Sequence, residues 1–450
     1  YNLKTVLSGD INSDDTSVGK DENTAHIVIC SGSFTINGFS IQSGNDTYIM
    51  ATDGAGIRIS SGNGKIINCA FIGNTAPAQG GGIYVRSNVM ISNCYFLRNH
   101  SGYGGAISSS GDTIIINNSI FENNTSSVIG SSIDARDNTQ ISHCIFNNNS
   151  ALSQDSAVSL YGNPIITNSI IINNHSALRG SIGASSNSKI YNTLIAFNTA
   201  GSETAGIYSG SFKMNNSILR GNTVSGQPAN ISLFNGANPT ILNSNIQLDS
   251  QNAWVFNEPS NFDLEPLFVD VSTSDFRLLA GSPCIDFGRL DDESPRTDYA
   301  GNPRIGNPDI GPYEYYTGDP VFTISGSVVG LLDANDIIVR ATSGSTRADY
   351  YCSSAGQFDF TFYLGEYTLT PVKSGYAFSP SETVVTLSDA NVSGIVFTMT
   401  EAPIKPKKDD DRWYHCAMTT EHLSCFLRSH ILLVFISLGL IALFRHKMYV

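Results

Sequence analysis

The sequence predicts an all-β protein: a solenoid with coils of about 25 residues, followed by a small β-sandwich. Three observations predict it. First, the phrase Ile-x-Asn-(Cys/Ser)-x-Phe-x-x-Asn recurs at steps of 25, 25, 25, 25, 24, 24 and 27 residues, its central column reading Asn68, Asn93, Asn118, His143, Asn168, Asn192, Asn216 and Asn243. A fixed period of that size marks a stack of short coils. Second, apolar residues alternate with polar ones over four or five positions, which is the period of a strand and not of a helix. Third, Gly, Asn, Ser and β-branched residues dominate the repeat, and these disfavour helix.

Each coil is read as follows. The first strand points Ile66, Ile91, Ile116, Ile141, Ile166, Ile190, Met214 and Ile241 inward, two residues before the Asn column. Three residues after that column come Phe71, Phe96, Phe121, Phe146, Ile171, Ile195, Leu219 and Ile246. Another strand supplies Ile57, Ile83, Ile107, Ile133, Val158, Ile182 and Ile207. Equivalent positions stack about 4.8 Å apart, as in a parallel sheet, which makes a parallel β-helix. The crossover rule favours the right hand. A second Asn column (Asn74, Asn99, Asn124, Asn149, Asn174, Asn198, Asn222) is expected to take left-handed turn angles. Both Asn columns are read as amide ladders along the stack, with His143 substituting for an Asn. Cys69, Cys94 and Cys144 share an inward column with Ser and Thr and are read as small buried fillers with free thiols.

The remaining chain divides by composition. The β-helix is assigned to residues 1–261, and residues 262–316, rich in Pro and Asp, to a cap over its open end. Residues 321–400 read as short strands of a β-sandwich. Residues 401–424 form a charged linker, and 425–447 contain an apolar run from Ile431 to Phe444 followed by Arg445, His446 and Lys447. That run is short for a span of about 20 residues, but with Arg428 snorkelling it fits a membrane anchor with a basic cytoplasmic tail. The chain starts at Tyr1 without a leader, so an export signal is expected to precede it.

Several segments resemble known families. The Gly104-Gly105-Ala106-Ile107 and Phe-x-x-Asn tetrads look like the paired motifs of chlamydial polymorphic outer membrane proteins. Residues 7–316 resemble bacterial right-handed β-helix proteins of the pectate-lyase-like superfamily. Gly281-Ser282-Pro283-Cys284-Ile285-Asp286 and Pro308-Asp309-Ile310-Gly311-Pro312-Tyr313-Glu314 are similar to the closing segment of choice-of-anchor surface proteins. The 321–400 segment resembles carboxypeptidase-regulatory-like, immunoglobulin-like domains. These resemblances imply an exported protein at a bacterial cell surface or in the medium, with a polysaccharide or a host or neighbouring cell surface as partner.

Charge narrows the partners. With a net charge of −14 and only 14% charged residues, the chain repels nucleic acid. A pectate-lyase-like helix works on its outer face, where side chains of successive coils line a groove. Along the outward columns beside the Gly-Gly-Ile strand, Tyr84, Arg86, Asp134, Arg136, Tyr161 and Tyr208 form the candidate binding strip, since aromatic faces and guanidinium groups bind sugars. Bond cleavage needs converging carboxylates, and only Asp134 lies in those columns, with Asp137, Asp112 and Asp155 nearby. The balance favours a non-enzymatic adhesin or glycan-binding display stalk. The alternative is a polysaccharide lyase or glycoside hydrolase acting on an acidic polysaccharide through Asp134 and Asp137. No cofactor is required. One calcium candidate, Asp10, Asn12, Asp14 and Asp21, has alternating oxygen ligands but lacks the glycine and glutamate of a calcium loop.

Overall fold

The computed structural model describes residues 5–10, 25–45, 53–111, 113–136, 138–185, 187–234, 236–330, 336–344 and 346–402. Three sheets run the length of the solenoid, each pairing one strand per coil, and a fourth covers part of it. The Phe face has ten strands, from Thr5–Ser8 to Asn245–Ile246. The Asn-leading face has nine, from Phe34–Asn37 to Thr240–Leu242, and the Gly-Gly-Ile face nine, from Val28–Cys30 to Ile231–Leu233. A shorter seven-stranded ladder begins at His100–Tyr103. Along the Phe face pairing is parallel and in register: Phe71, Phe96, Phe121 and Phe146 face one another across successive coils. Their rings stack at 4.7–4.8 Å, the spacing of the strands that carry them.

The corners explain the repeat. Asn68, Asn93, Asn118, His143, Asn168, Asn192, Asn216 and Asn243 all take left-handed angles, with φ between 44° and 55°. One such residue turns the chain from one sheet to the next, and Asn tolerates that conformation better than most side chains. The left-handed turn expected at the second Asn column falls one residue earlier, on Gly73, Arg98, Asn123, Asn148, Asn173, Phe197 and Gly221. The second column is instead a continuous buried ladder. Asn99 shows the pattern: its Nδ2 donates to Asn124 Oδ1 at 3.0 Å and to the Phe71 carbonyl at 2.9 Å, while its Oδ1 accepts from the Asn74 backbone and amide. Both amide protons are used, so an otherwise costly buried group is satisfied. The first column is an interrupted ladder: Asn68 donates to Asn37 at 3.0 Å and Asn93 to Asn68 at 3.3 Å, and later Asn168 lies 3.2 Å from His143 Nε2 and Asn216 donates to Asn192 at 3.4 Å.

From His143 onward that first column turns outward to hold another segment. Asn168 donates to the Thr297 carbonyl, Asn192 to that of Asp309, Asn216 to that of Arg289 and Asn243 to that of Phe287. Residues 262–316, expected to close the open end, therefore run back along the flank as a strap. The physical reason is on the Phe face. Its outward residues Ile170, Ile172, Leu194, Ala196 and Ile218 are apolar, and they bury against Phe276, Leu278, Cys284 and Ile310 of the strap. End closure falls to the single turn Ala253–Asn257, where Val255 is buried and Trp254 and Phe256 pack on the last coil. Within the strap, Arg304 is fully buried against Glu314 at 3.2 Å and donates to Asn168 Oδ1 at 2.9 Å.

The thiols follow the reading made from their column. Cys69, Cys94 and Cys144 are buried and free. Each sulfur lies 3.2–3.3 Å from the carbonyl two residues back, as the hydroxyl of Ser119 does at 2.8 Å. Thiol and hydroxyl are interchangeable there because either can meet that acceptor.

Residues 321–401 form two facing sheets around Ile324, Val339, Phe360, Leu369 and Phe397. Leu290–Asp291 of the strap joins one of those sheets beside Tyr350 and Tyr351. The linker and anchor expected at 401–424 and 425–447 lie outside the described residues beyond Ala402. Among the described residues no helix is long and apolar enough to cross a membrane.

Candidate groove on the Gly-Gly-Ile face

The outward column of this face is Arg58, Tyr84, Ser108, Asp134, Ser159, Gly183, Tyr208 and Ser232, confirmed by strand register. From Tyr84 to Gly183 it is a sunken floor and not a solvated surface, with Ser108, Asp134 and Ser159 all below 5% exposed. One wall is the column Asp53, Gln79, Tyr103, Ile129, Gln154 and Arg179, linked by parallel bridges. The other includes Arg86, Arg136 and Tyr161, all exposed.

The six residues of the predicted strip do not make one site. Tyr84 and Tyr208 are five strand spacings apart, roughly 24 Å. Tyr84 is buried, with its hydroxyl 3.1 Å from Ser110 Oγ and accepting from Arg86 Nε at 3.0 Å. Those two side chains satisfy each other. Asp134 is buried between Ser108 and Ser159, and burial pushes its carboxyl up to about 6 against the opposing charge of Arg136. Asp112 and Asp137 lie outside the described residues, as do Asn12, Asp14 and Asp21 of the calcium candidate. Among the described residues no three His, Cys, Asp or Glu side chains gather as a metal would require.

Tyr161 and Tyr208 do come together. With Asp155, Ser159, Arg179, Gly183 and Phe234 they line a concavity of about 270 Å³. Asp155 is its unusual member. The corner that enters the Gly-Gly-Ile strand carries Gly54, Gly80, Gly104, Gly130 and Gly180 on other coils, with φ between 61° and 78°. Asp155 holds that slot with φ 53°. Left-handed backbone costs a side chain of this kind about 1 kcal/mol. The carboxyl finds room because the neighbouring floor residue is Gly183, where an added Cβ would stand 2.1 Å from it. Asp155 is 5% exposed, and its Oδ1 has no hydrogen-bond partner. Burial pushes its carboxyl up to about 7, offset in part by the positive charge of Arg179 and the Ser159 hydroxyl and reinforced by Asp134.

Arg179 is held at the rim. It donates to Gln154 Oε1 at 2.6 Å, lies 3.7 Å from Glu203 and stacks with its guanidinium 3.8 Å over the Tyr208 ring. Its Nε is buried without a partner. Phe234 packs beside Tyr208 at 5.5 Å and is 37% exposed, while Tyr161 is 43% exposed. Arg179 and Phe234 were not candidates from sequence: Arg179 lies on the wall, outside the outward strand columns, and Phe234 continues the Arg86–Arg136–Tyr161 column one coil past the last one read there, Gly210. A readable signal existed for Asp155: it alone interrupts the run of corner glycines from Gly54 to Gly180.

His143, read as an Asn substitute, occupies the corner with φ 53° and places Nε2 3.1 Å from the Asp298 carbonyl under the strap. It lies in the strap contact and not in the groove.

Comparison with known proteins fixes the hand of the solenoid. Residues 26–195 match the family model described as "Right handed beta helix region". A similar solved structure is the crystal structure of pectate lyase Pel9A, 15% identical, with a TM-score of 0.34, over 63% of this chain and 72% of that one. No curated protein matches the sequence.

Proposed function

We propose that this chain is an exported surface protein that engages carbohydrate through the groove of its Gly-Gly-Ile face, with the solenoid as a rigid stalk and the sandwich as a spacer toward a membrane anchor. The observation that carries this reading is the concavity around Asp155. It joins a buried carboxyl with an unpartnered oxygen to exposed rings of Tyr161 and Phe234 and the guanidinium-backed Tyr208. A sugar offers both apolar ring faces and hydroxyl donors, and this is the pairing such a surface meets. The acidic composition supports an extracellular partner over nucleic acid.

A second reading rests on a specific observation. Asp134 on the floor and Asp155 at the corner of the next coil both hold protons more tightly than ordinary carboxylates, at about 6 and about 7. A carboxyl protonated near neutrality is what a general acid requires, with a partner carboxylate beside it as base or nucleophile. This adds Asp155 to the hydrolase alternative of Asp134 with Asp137.

Affinity electrophoresis of the whole chain through a panel of polysaccharides, with reducing-end release measured on the same polymers, tests both. Retention without product supports the binding stalk. Product formation lost in both Asp134→Asn and Asp155→Asn supports the hydrolase. No retention and no product would sink the carbohydrate reading.

A further inference from the structure

We infer that the concavity at Asp155 is a subsite for a single neutral pyranose residue and excludes uronic acids; this deepens the carbohydrate reading above and rests on it. Three features argue for it together. Size comes first: a concavity of about 270 Å³ lies at the small end of ligand pockets, so it holds one ring of a polymer. Chemistry comes second. The unpartnered Asp155 Oδ1 accepts from a hydroxyl, while the exposed rings of Tyr161 and Phe234 offer apolar surface for the face of a sugar.

Charge comes third, and it decides between neutral and acidic sugars. A uronate would bring its carboxylate beside Asp155 and within reach of the field of Asp134. Among the described residues the only cation lining the concavity is Arg179: it is engaged by Gln154, Glu203 and the face of Tyr208, and its unpartnered Nε is buried and offers a single N–H. An anion there gains no free guanidinium edge comparable to a bidentate clamp, whereas a neutral hydroxyl gains an acceptor that has none of its own.

The arrangement is also a built one. A carboxyl occupies a slot that other coils give to glycine, and glycine occupies the floor position where other coils carry Tyr, Ser or Asp. Each departure would be unfavourable alone. Together they place one buried oxygen at the wall of the concavity, and strain of this kind collects at binding sites.

The exchange supplies its own test. Asp155→Gly restores the corner residue of the other coils, so the variant is expected to fold with an unchanged or higher Tm. Full-length protein and variant are run through gels containing laminarin, mannan or galactan as neutral polymers, and polygalacturonate or alginate as acidic ones. The expected result is retention by at least one neutral polymer, none by the acidic pair, and at least tenfold weaker retention for Asp155→Gly and for Tyr208→Ala. Retention by acidic polymers alone, or neutral retention that survives Asp155→Gly, overturns the subsite and leaves the carbohydrate reading standing. Silence on every polymer overturns both.

Discussion

Two stretches of one groove, floored by Tyr84 to Asp134 and by Ser159 to Tyr208, keep the repeat to different degrees. Upstream, glycine holds the corner at positions 80, 104 and 130, and polar side chains close on one another: Tyr84 with Ser110 and Arg86, Ser108 with Gln79. Downstream, aspartate replaces glycine at one corner and glycine stands on the floor of the next coil, leaving Asp155 Oδ1 and Arg179 Nε unpaired. The strand register is kept, with Ile133 beside Val158 and Val158 beside Ile182; at the corner Asp155 N donates to the Arg179 carbonyl at 2.8 Å, as Gly104 N does to Ile129, while Gly130 N donates to the carbonyl of Asp155 itself at 3.0 Å. The fold therefore tolerates the substitution without changing register. In a repeat protein, the positions that keep the pattern hold the stack together, and a position that breaks it without breaking the ladder is where a ligand is best sought.

The largest effect is expected outside both stretches, where the strap is pinned. Arg304→Ala leaves Glu314 and Asp309 buried without their counter-ion and removes the donor to Asn168. Breaking a buried pair from one side costs about 3–5 kcal/mol. Chemical denaturation is expected to show that loss, and hydrogen exchange to show it concentrated in residues 262–316 and the outward Ile170 and Leu194 they cover. A loss spread evenly over all coils would mean that the strap is not a separable layer.

Next comes the ladder common to both stretches. Asn124→Ala removes the acceptor of the Asn99 backbone and amide and the donor to the Phe96 carbonyl. Several orphaned buried groups at about 1 kcal/mol or more apiece predict a loss of roughly 3 kcal/mol. The same substitution at Asn174, beneath the downstream stretch, should cost a similar amount, since its partners are equivalent. A difference of more than about 1 kcal/mol between the two denaturation midpoints would show that the broken coil does weaken the stack.

The solenoid was legible because its physics is periodic: inward Phe and Ile, corner Asn and buried Asn each recur at the coil length. The strap was misplaced for a reason that was also in the sequence. Ile170-Ile171-Ile172 and Leu194-Ile195-Ala196 lose the alternation of a half-buried strand, which means that both faces are covered. The outward columns of the Gly-Gly-Ile face were readable, but which side chains gather along them was not. Tyr161, Tyr208 and Phe234 sit in outward columns, Phe234 one coil beyond the repeat as read, whereas Arg179 reaches the concavity from the wall. Tyr84 and Arg86 were indistinguishable in sequence from ligand-binding residues, because their mutual hydrogen bond depends on side-chain direction.

Protonation gives the smallest effect and the sharpest contrast between the two stretches. Asp155 holds its proton to about pH 7 when folded and to about pH 4 when unfolded. Its folded-state pKa is raised, so its stabilising contribution is full below the unfolded value and is lost as pH rises through the folded one. Asp134, at about 6, has the same sign. Glu293 has the opposite sign: burial raises it, but hydrogen bonds from Lys189, Lys213 and Tyr191 outweigh burial and hold it at about 2. Its contribution is lost only in acid, below the window in which Asp155 titrates. Stability is therefore expected to fall between about pH 5 and pH 8, with Asp155 contributing roughly 2–3 kcal/mol of that fall. Asp155→Asn keeps the side chain's shape, suits the left-handed corner and cannot ionise. It should match the parent at the acid end and exceed it at the alkaline end, as read by Tm across the range. Parallel curves for parent and variant would mean that the carboxyl is hydrated and ordinary, and the leftover hydrogen-bonding capacity that distinguishes the downstream stretch would then belong to water.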